Sequence, residues 1–415
     1  MRKQKLVVVG NGMAGARAVE EVLARRGADQ FDVAMFGDEP YGNYNRILLS
    51  NILSGAQDPS EIYLNPLDWY AENGIRLHTS ARVTDIDRAA RVVVAANGIR
   101  ETYDKLLIAT GSRAFIPPIR NLYAREGILR RGIYAFRTID DCQAIIAGAK
   151  RAKHAAVIGG GLLGLEAARG LATHGCEVHV IHLAGHLMEQ QLDTAAGAIL
   201  KSSMAGMGIH VHLQKSTVNV LGQPNVTGLE FKDGTALKCD LIVISAGIKP
   251  NAEIGLRCGL TVERAIVVDN HMRSVDDPNV YVVGECAQHR GRVYGLVAPL
   301  WEQAKVFADH ITSHNQDAAY HGSKLATKLK VMGVELASLG ITNPAEERDE
   351  IIQYTEPKKG TYKKLIVRDG RRHPLRRHQQ GRLPDAMLRP RCAAAGGAPV
   401  AAVRSRRTKP EDYAR

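Results

Sequence analysis

The chain has 415 residues, 45% of them apolar, which is too many for one ordinary core, so two or three domains are expected. Its formal charge of +12 invites a nucleic-acid reading. Residues 371–415, however, hold eleven Arg and one Lys against three acids, which leaves +3 for residues 1–370 and speaks against a basic binding face on the body.

The first stretch, "MRKQKLVVVG", has an apolar run of four residues ending in glycine, so it reads as a buried strand and not as a signal segment. No stretch approaches the roughly 20 apolar residues of a membrane span, and a cytoplasmic protein is expected. The strand runs into "VVVGNGMAGARAVEEVLARRG", where Gly10, Gly12 and Gly15 punctuate the turn into a helix. Such glycines let the backbone approach a pyrophosphate at the helix N-terminus, where unpaired N–H groups and the helix dipole favour negative charge. The next strand, "FDVAMFG", leads to Asp38 and Glu39, 23 and 24 residues past Gly15, about where an acid accepts hydrogen bonds from a ribose; Glu39 is the preferred one. "ARVTDID", "RVVVAA" and "KLLIAT" read as further strands.

From residue 151 the same order recurs. "HAAVIGG" leads into "VIGGGLLGLE", a second loop at Gly159, Gly161 and Gly164, and "EVHVIHL" ends in His182 and not in an acid, which leaves NADH or NADPH open. "HVHLQKSTVNVL", "TGLEFKDG", "LIVISAG" and "VYVVG" follow as strands. The fold class expected is α/β: two doubly wound, Rossmann-like dinucleotide-binding domains, one inserted in the other, plus a small C-terminal α+β domain. Residues 1–120 and 250–320 would form one dinucleotide-binding domain, 121–249 the other, 321–370 the small domain, and 371–415 a disordered basic tail; the family that later segments resemble implies FAD for the first and NAD(P) for the second. Two loops suit one bound flavin dinucleotide and one diffusible nicotinamide dinucleotide, with nicotinamide C4 roughly 3–3.5 Å from flavin N5 for hydride transfer.

Six cysteines are scattered without a C-x-x-C pair, which argues against zinc, an iron–sulfur site and a disulfide framework. "YGNYNRILLSNILSG" lacks the close cysteine pair that flavoprotein disulfide reductases place beside the flavin. No metal site is expected: His210 and His212 alternate along a strand and read as a solvated face. Cys286 reads as a buried apolar thiol.

"LLIATGSRAFIPPI", "LIVISAGIKPN" and "NVYVVGECAQH" resemble recurring segments of the pyridine nucleotide-disulfide oxidoreductase superfamily, a resemblance covering residues 5–370. "YNRILLSNILSG", "FRTIDDCQAI", "HLMEQQLD" and "GECAQHRGRVYGLVAPLWEQA" look like the flavin-containing N-terminal half of assimilatory NAD(P)H-nitrite reductase large subunits. Ferredoxin reductases usually carry Pro-Pro-Leu-Ser-Lys after the arginine matched by Arg46; here Ile47-Leu48-Leu49-Ser50-Asn51 follows. The resemblance implies FAD and NAD(P)H as cofactors. It places Gly284 and Glu285 at the flavin's ribityl and pyrophosphate region, and Thr110 and Gly111 on the pyrophosphate side. Gly247 and Glu166 would lie by the nicotinamide, and Arg46 would be the cation nearest the flavin. Arg46 and Glu166 are the expected catalytic residues; Ala14, Val83, Leu163 and His182 complete the cofactor-binding set.

Full-length relatives continue into cysteine-rich iron–sulfur and siroheme modules, for which this chain has no cysteine spacing. It would accept hydride and pass electrons to an acceptor protein or to such a module on another chain, with no nucleic-acid or membrane partner and a homodimer left open. The alternatives are a standalone ferredoxin or rubredoxin reductase and a non-catalytic truncated fragment.

Overall fold

The computed structural model describes residues 2–324, 326–331, 334–340, 342, 349–356 and 360–367, and the backbone of 400–405. The opening run forms β1 (Gln4–Val9), in which Leu6 to Val9 are all nearly inaccessible, as expected of a strand covered on both faces. There follow α1 (Met13–Ala24), β2 (Phe31–Phe36), β3 (Arg76–His78), β4 (Lys105–Ile108), β5 (Ser112–Ala114) and α2 (Ile139–Ala149). The second glycine loop lies between β6 (His154–Ile158) and α3 (Leu162–Thr173), followed by β7 (Glu177–Ile181), α4 (Thr194–Gly206) and β8 (Ile209–His212). Next come β9 (Leu241–Ile244), β10 (Ile248–Pro250), β11 (Val280–Val282) and α5 (Val297–Ile311). The last strands are β12 (Ala326–Val331), β13 (Val334–Leu339), β14 (Glu350–Glu356), β15 (Thr361–Val367) and β16 (Val400–Ser405).

The chain divides into two compact units. Unit one comprises residues 1–118, 132–152 and 243–323; unit two comprises 119–131, 153–242 and the chain from 324 onward. In unit one a five-stranded sheet runs in the order β11-β4-β1-β2-β3, every neighbouring pair parallel. Leu6, Val8, Leu106, Leu107, Ile108, Val280 and Val282 are fully buried in it, each aliphatic side chain contributing about 1.5–3 kcal/mol. The strands Val83–Asp87, Val92–Ala95 and Arg100–Thr102 form a separate antiparallel sheet. In unit two β6, β7 and β8 pair in parallel, with β9 beginning on the far side of β6.

"HVHLQKSTVNVL", expected as one strand, is two. Gln214 takes φ +55 and turns the chain, so β8 ends at His212, and Thr217–Leu221 pairs with Gly228–Phe231 in another sheet. The described C-terminal residues form an antiparallel sheet, β12-β13-β16-β15-β14, and no helix occurs among them. Its middle strand β16 comes from the segment expected to lack regular structure; the rest of 371–415 lies outside the described residues.

Within unit two that sheet is tied to α4 by one carboxylate. Asp193 caps α4 by accepting from Ala196 N–H at 2.9 Å, and accepts from Tyr362 Oη at 2.5 Å and Lys364 Nζ at 2.8 Å. Burial alone would raise the Asp193 pKa, but Lys364 and Tyr362 outweigh it and hold the carboxyl below its ordinary value. A depressed carboxylate pKa stabilises the fold above the unfolded-state value and loses that contribution as pH falls through the folded one. Asp193→Ala is therefore expected to cost about 3–5 kcal/mol by leaving the Lys364 ammonium buried and unpaired. The Tm advantage of wild type over Asp193→Asn should shrink below roughly pH 4; an advantage that persists there would contradict this.

Candidate dinucleotide sites

In unit one the chain leaves β1 for β2 and β3 on one side, then returns to place β4 on the other. Ligands of such sheets bind in the crevice at the strands' carboxyl ends where the order reverses. Gly10 sits there with φ +118, and a Cβ on it would overlap the Ala109 carbonyl oxygen. A Cβ on Gly15 would overlap the Gly10 carbonyl oxygen, so these two glycines are demanded by the packing of loop, helix and strand end. Gly12 is different: it is the N-cap of α1, no side chain caps the helix, and nothing lies within 4 Å of where its Cβ would stand. The first N–H groups of α1 are thus left without a side-chain cap beside open space at Gly12, an arrangement that could hold an anion.

The far wall is built by Gly284, whose φ of +92 lets it lie over Ala14, with only 3.0 Å between a hypothetical Cβ and the Ala14 Cβ. Gly284 N–H donates to Gln303 Oε1 of α5 at 2.9 Å, and Gln303 is completely buried. Arg25 holds α5 to α1 by bonding Asp309 Oδ1 and Glu21 Oε2, both at 2.6 Å.

Beside this cradle runs a chain of charges. Glu285, nearly buried, accepts from Ser112 Oγ at 2.5 Å and from Arg137 Nη2. The Arg137 carbonyl accepts from Arg46 Nη1 at 3.0 Å, and Arg46 Nη2 pairs with Glu39 Oε1. Tyr44 Oη donates to Glu39 Oε2 at 2.7 Å, and the Arg46 guanidinium lies 4.7 Å from the Tyr44 ring centroid. Burial works against the Arg46 charge, but Tyr44, Glu39 and Glu285 prevail and raise its pKa. Burial likewise pushes the Tyr44 hydroxyl upward, so it stays a donor.

The structure thus brings Glu39, Arg46 and Glu285 into one network, while Asp38 is exposed. Glu39 is held near the first loop through its own strand end: Gly37 packs on Asn11, and Ala81 N–H and Ser80 N–H bond the carbonyls of Gly37 and Glu39 at 2.8 and 3.2 Å. Val83 starts the next strand two residues on. Thr110 and Gly111 are clamped by Asn251, whose Nδ2 donates to Thr110 O at 2.9 Å while Thr110 Oγ1 donates to Asn251 O at 2.7 Å. Gly247, exposed at φ +113, accepts from Phe115 N–H at 2.9 Å as β10 pairs with β5. Cys286 is wholly buried, and burial pushes its thiol pKa up, away from thiolate chemistry.

In unit two the second loop repeats the pattern. Gly159 has φ +127; Gly161 caps α3 without a side-chain partner, again with nothing within 4 Å of a Cβ. Gly164 is buried, and Leu163 and Glu166 are half-buried on α3. His182 is not an ordinary surface histidine: it is 7% exposed, its Nδ1 accepts from Gly160 N–H at 3.1 Å and its Nε2 faces Glu189 Oε2 at 3.0 Å. A Cβ on Gly160 would stand 2.6 Å from the His182 ring, so the middle glycine of the loop is fixed by that histidine.

Both loops fit a dinucleotide pyrophosphate: each offers an uncapped helix N-terminus with free space in front of it, and neither carries an acid at the N-terminus that would repel phosphate. Residues 4–306 match the pyridine nucleotide-disulphide oxidoreductase family. The chain belongs to that family. Its members are oxidoreductases that use FAD and NAD(P)H, and this chain is one of them. Residues 326–372 match the rubredoxin NAD+ reductase C-terminal domain. The chain is 48% identical over 368 residues to nitrite reductase [NAD(P)H] of Bacillus subtilis, covering 89% of this chain and 44% of that protein. It is 44% identical to the assimilatory nitrate reductase electron transfer subunit of the same organism, covering 89% and 47%. The chain thus spans less than half the length of these relatives. The crystal structure of a ferredoxin reductase from Rhodopseudomonas palustris shares the fold, with a TM-score of 0.79 at 23% identity over 97% of this chain and 91% of that one. Among the described residues no helix is long and apolar enough to cross a membrane.

Sequence reasoning did not find Gly160, Ser112, Arg137, Asn251 or Gln303. Only Arg137 had a local signal: it precedes Thr138 and Asp141, which form the reciprocal cap of α2, and Arg137 N–H also bonds Asp141 Oδ2 at 2.8 Å. The contrast between packing and cradle glycines is testable by circular dichroism and melting. Gly10→Ala is expected to lose at least about 2 kcal/mol, from the positive φ and the overlap with Ala109. Gly12→Ala should melt as the wild type does; equal losses in both variants would contradict the assignment.

Proposed function

We propose that this chain accepts a hydride from NAD(P)H onto FAD and releases the electrons to an acceptor protein, as the electron-input module of an assimilatory nitrite reductase. The observation that carries this reading is the pair of uncapped helix N-termini at Gly12 and Gly161, each opening onto free space at a glycine loop. Bound flavin supplies a centre that takes electrons in pairs and gives them up singly, which no side chain here can do.

The chain's own residues then have binding and orienting tasks. The N–H groups at Gly12 to Gly15, with Ala14 beneath them, hold the flavin pyrophosphate, and Gly284 with Glu285 and Thr110 with Gly111 line its path. Glu39 offers its remaining lone pairs to ribose hydroxyls while keeping Arg46 in place, and Arg46 sets a fixed positive charge at the flavin side of the network. In unit two the N–H groups from Gly161 to Gly164 hold the nicotinamide dinucleotide's pyrophosphate, and Glu166 accepts from the carboxamide N–H. The five described cysteines are free thiols, which suits the reducing cytoplasm.

The electron acceptor is read from the likeness to nitrite reductase and to a nitrate reductase electron transfer subunit. A second reading, reduction of a free rubredoxin or ferredoxin, is favoured by the match of residues 326–372. Anaerobic mixing of the purified chain with NADH or NADPH should bleach the visible flavin band, and the faster nucleotide identifies the preferred donor. Glu166→Gln should keep full flavin content but slow bleaching about tenfold, the worth of one charge-assisted hydrogen bond. A chain that binds no FAD, or flavin that neither nucleotide bleaches, would overturn the reading. Rapid turnover with rubredoxin alone would move the acceptor assignment to the second one.

A further inference from the structure

Parallel strands covered on both faces are normally apolar throughout, and β6, β7 and β8 of unit two break that rule on one face. Their register sets His154 opposite Glu177, His179 opposite His210, and Ile181 opposite His212. Because side chains alternate along a strand, His154, Glu177, His179, His210 and His212 all emerge on the same side. Read along the chain, His210 and His212 are two polar residues on a strand; across the sheet they belong to a five-residue cluster.

The ring nitrogens converge on one carboxylate. Glu177 Oε2 lies 3.2 Å from His154 Nδ1, and Glu177 Oε1 lies 3.3 Å from His179 Nε2 and 3.6 Å from His210 Nε2. The candidate ligand atoms of His154, Glu177 and His179 all fall within 4.8 Å of one another. Bonds of about 2.0–2.2 Å in a tetrahedral site put neighbouring ligand atoms roughly 3.3–3.6 Å apart, so the distances from Glu177 to His154 and His179 are close to those an ion would impose. Metal-bound imidazoles are usually oriented by a hydrogen bond from their second nitrogen. His179 has such a partner: its Nδ1 lies 3.0 Å from His212 Nε2, while its Nε2 faces Glu177. Near the cluster, a cavity of about 360 Å³ lined in part by Lys201, Ala205, His210 and His212 leaves room for an ion to approach.

We propose that His154, Glu177 and His179 bind one divalent transition-metal ion of the zinc class, with water completing the coordination and His212 as the positioning residue behind His179. A donor set of imidazoles and one carboxylate suits zinc or a neighbouring d-block ion and does not suit calcium or magnesium, which take oxygen ligands. The site occupies the early part of the strands, whereas the glycine loop follows the far end of β6. His154 and Glu177 lie five residues of strand before Gly159, about 15 Å, while His179, level with Ala156, lies three before it, about 10 Å. The ion stands apart from the loop and takes no part in hydride transfer; it cross-links two neighbouring strands, β6 and β7, of the nucleotide-binding sheet.

The test uses the full chain with its flavin, stripped of metal by a chelator and titrated with Co2+ as a spectroscopic stand-in for zinc. The expected result is one equivalent bound, with four-coordinate cobalt bands beyond the flavin absorption, displaced by Zn2+. Glu177→Gln and His179→Gln should weaken binding at least tenfold, and His212→Leu should weaken it about 10–100-fold while the stoichiometry stays at one. Glu177 is half exposed, so Glu177→Gln is expected to fold normally and decides the matter if His179→Gln does not. Zn2+ should raise the Tm of wild type and not of Glu177→Gln. Absence of cobalt bands in wild type, or equal affinity in wild type and Glu177→Gln, would overturn the site.

Discussion

Close approach of backbone to backbone at the ends of two parallel strands is the constraint on which the rest depends. At Gly10 the first loop passes so near the Ala109 carbonyl that a Cβ has no room, and Gly15 repeats the condition against the loop itself. The same economy of space at Gly160 is imposed by His182. Once the loops are held this tightly, the glycines that need no such closeness, Gly12 and Gly161, are left with open space and uncapped helix ends. One part of each loop is specified by packing and another by what it leaves free. That division explains how a pattern of three glycines can serve both fold and ligand.

Around the first loop, charge is handled by pairing. Glu39 pairs with Arg46 and Glu285 with Arg137, the two pairs are joined by Arg46 donating to the Arg137 carbonyl, and each acid also accepts from a hydroxyl, Tyr44 or Ser112. Two such linked pairs can hold charges in a half-buried position without leaving any of them unpaired. It also means that Arg46 and Glu285 cannot be treated as independent residues: removing one charge leaves its neighbours imperfectly matched. The buried thiol of Cys286 next to this network has no comparable partner and belongs to the packing of β4 and β11.

What could be read in the sequence was what is local. The apolar runs of β1, β4 and β6, the glycine loops after β1 and β6, and the lack of a close cysteine pair were visible because each signal lies within about twenty residues. The network was not, because its contacts join residues far apart in the chain: Arg137 and Glu285 are separated by 148 positions, and Ser112 and Glu285 by 173. The tie between His182 and Gly160 was not visible because nothing in the sequence says that Gly160 lies beneath that histidine. The histidine cluster was invisible for a related reason, since it exists only across three paired strands, and His210 and His212 alone carry the pattern of a solvated face. The break at Gln214 was hidden by an unbroken alternation on either side of it.

The central claim is that the two loops hold two different dinucleotides, and it is tested most directly by filling each loop separately. Gly12→Val and Gly161→Val place a side chain in the open space before α1 and α3 at ordinary φ values of −85° and −83°. Flavin content per chain and NAD(P)H-dependent bleaching are then measured on both. Gly12→Val should fold and lose its flavin; Gly161→Val should keep its flavin and resist bleaching by NAD(P)H. Loss of flavin from both variants, or from neither, would contradict the assignment of one dinucleotide to each loop.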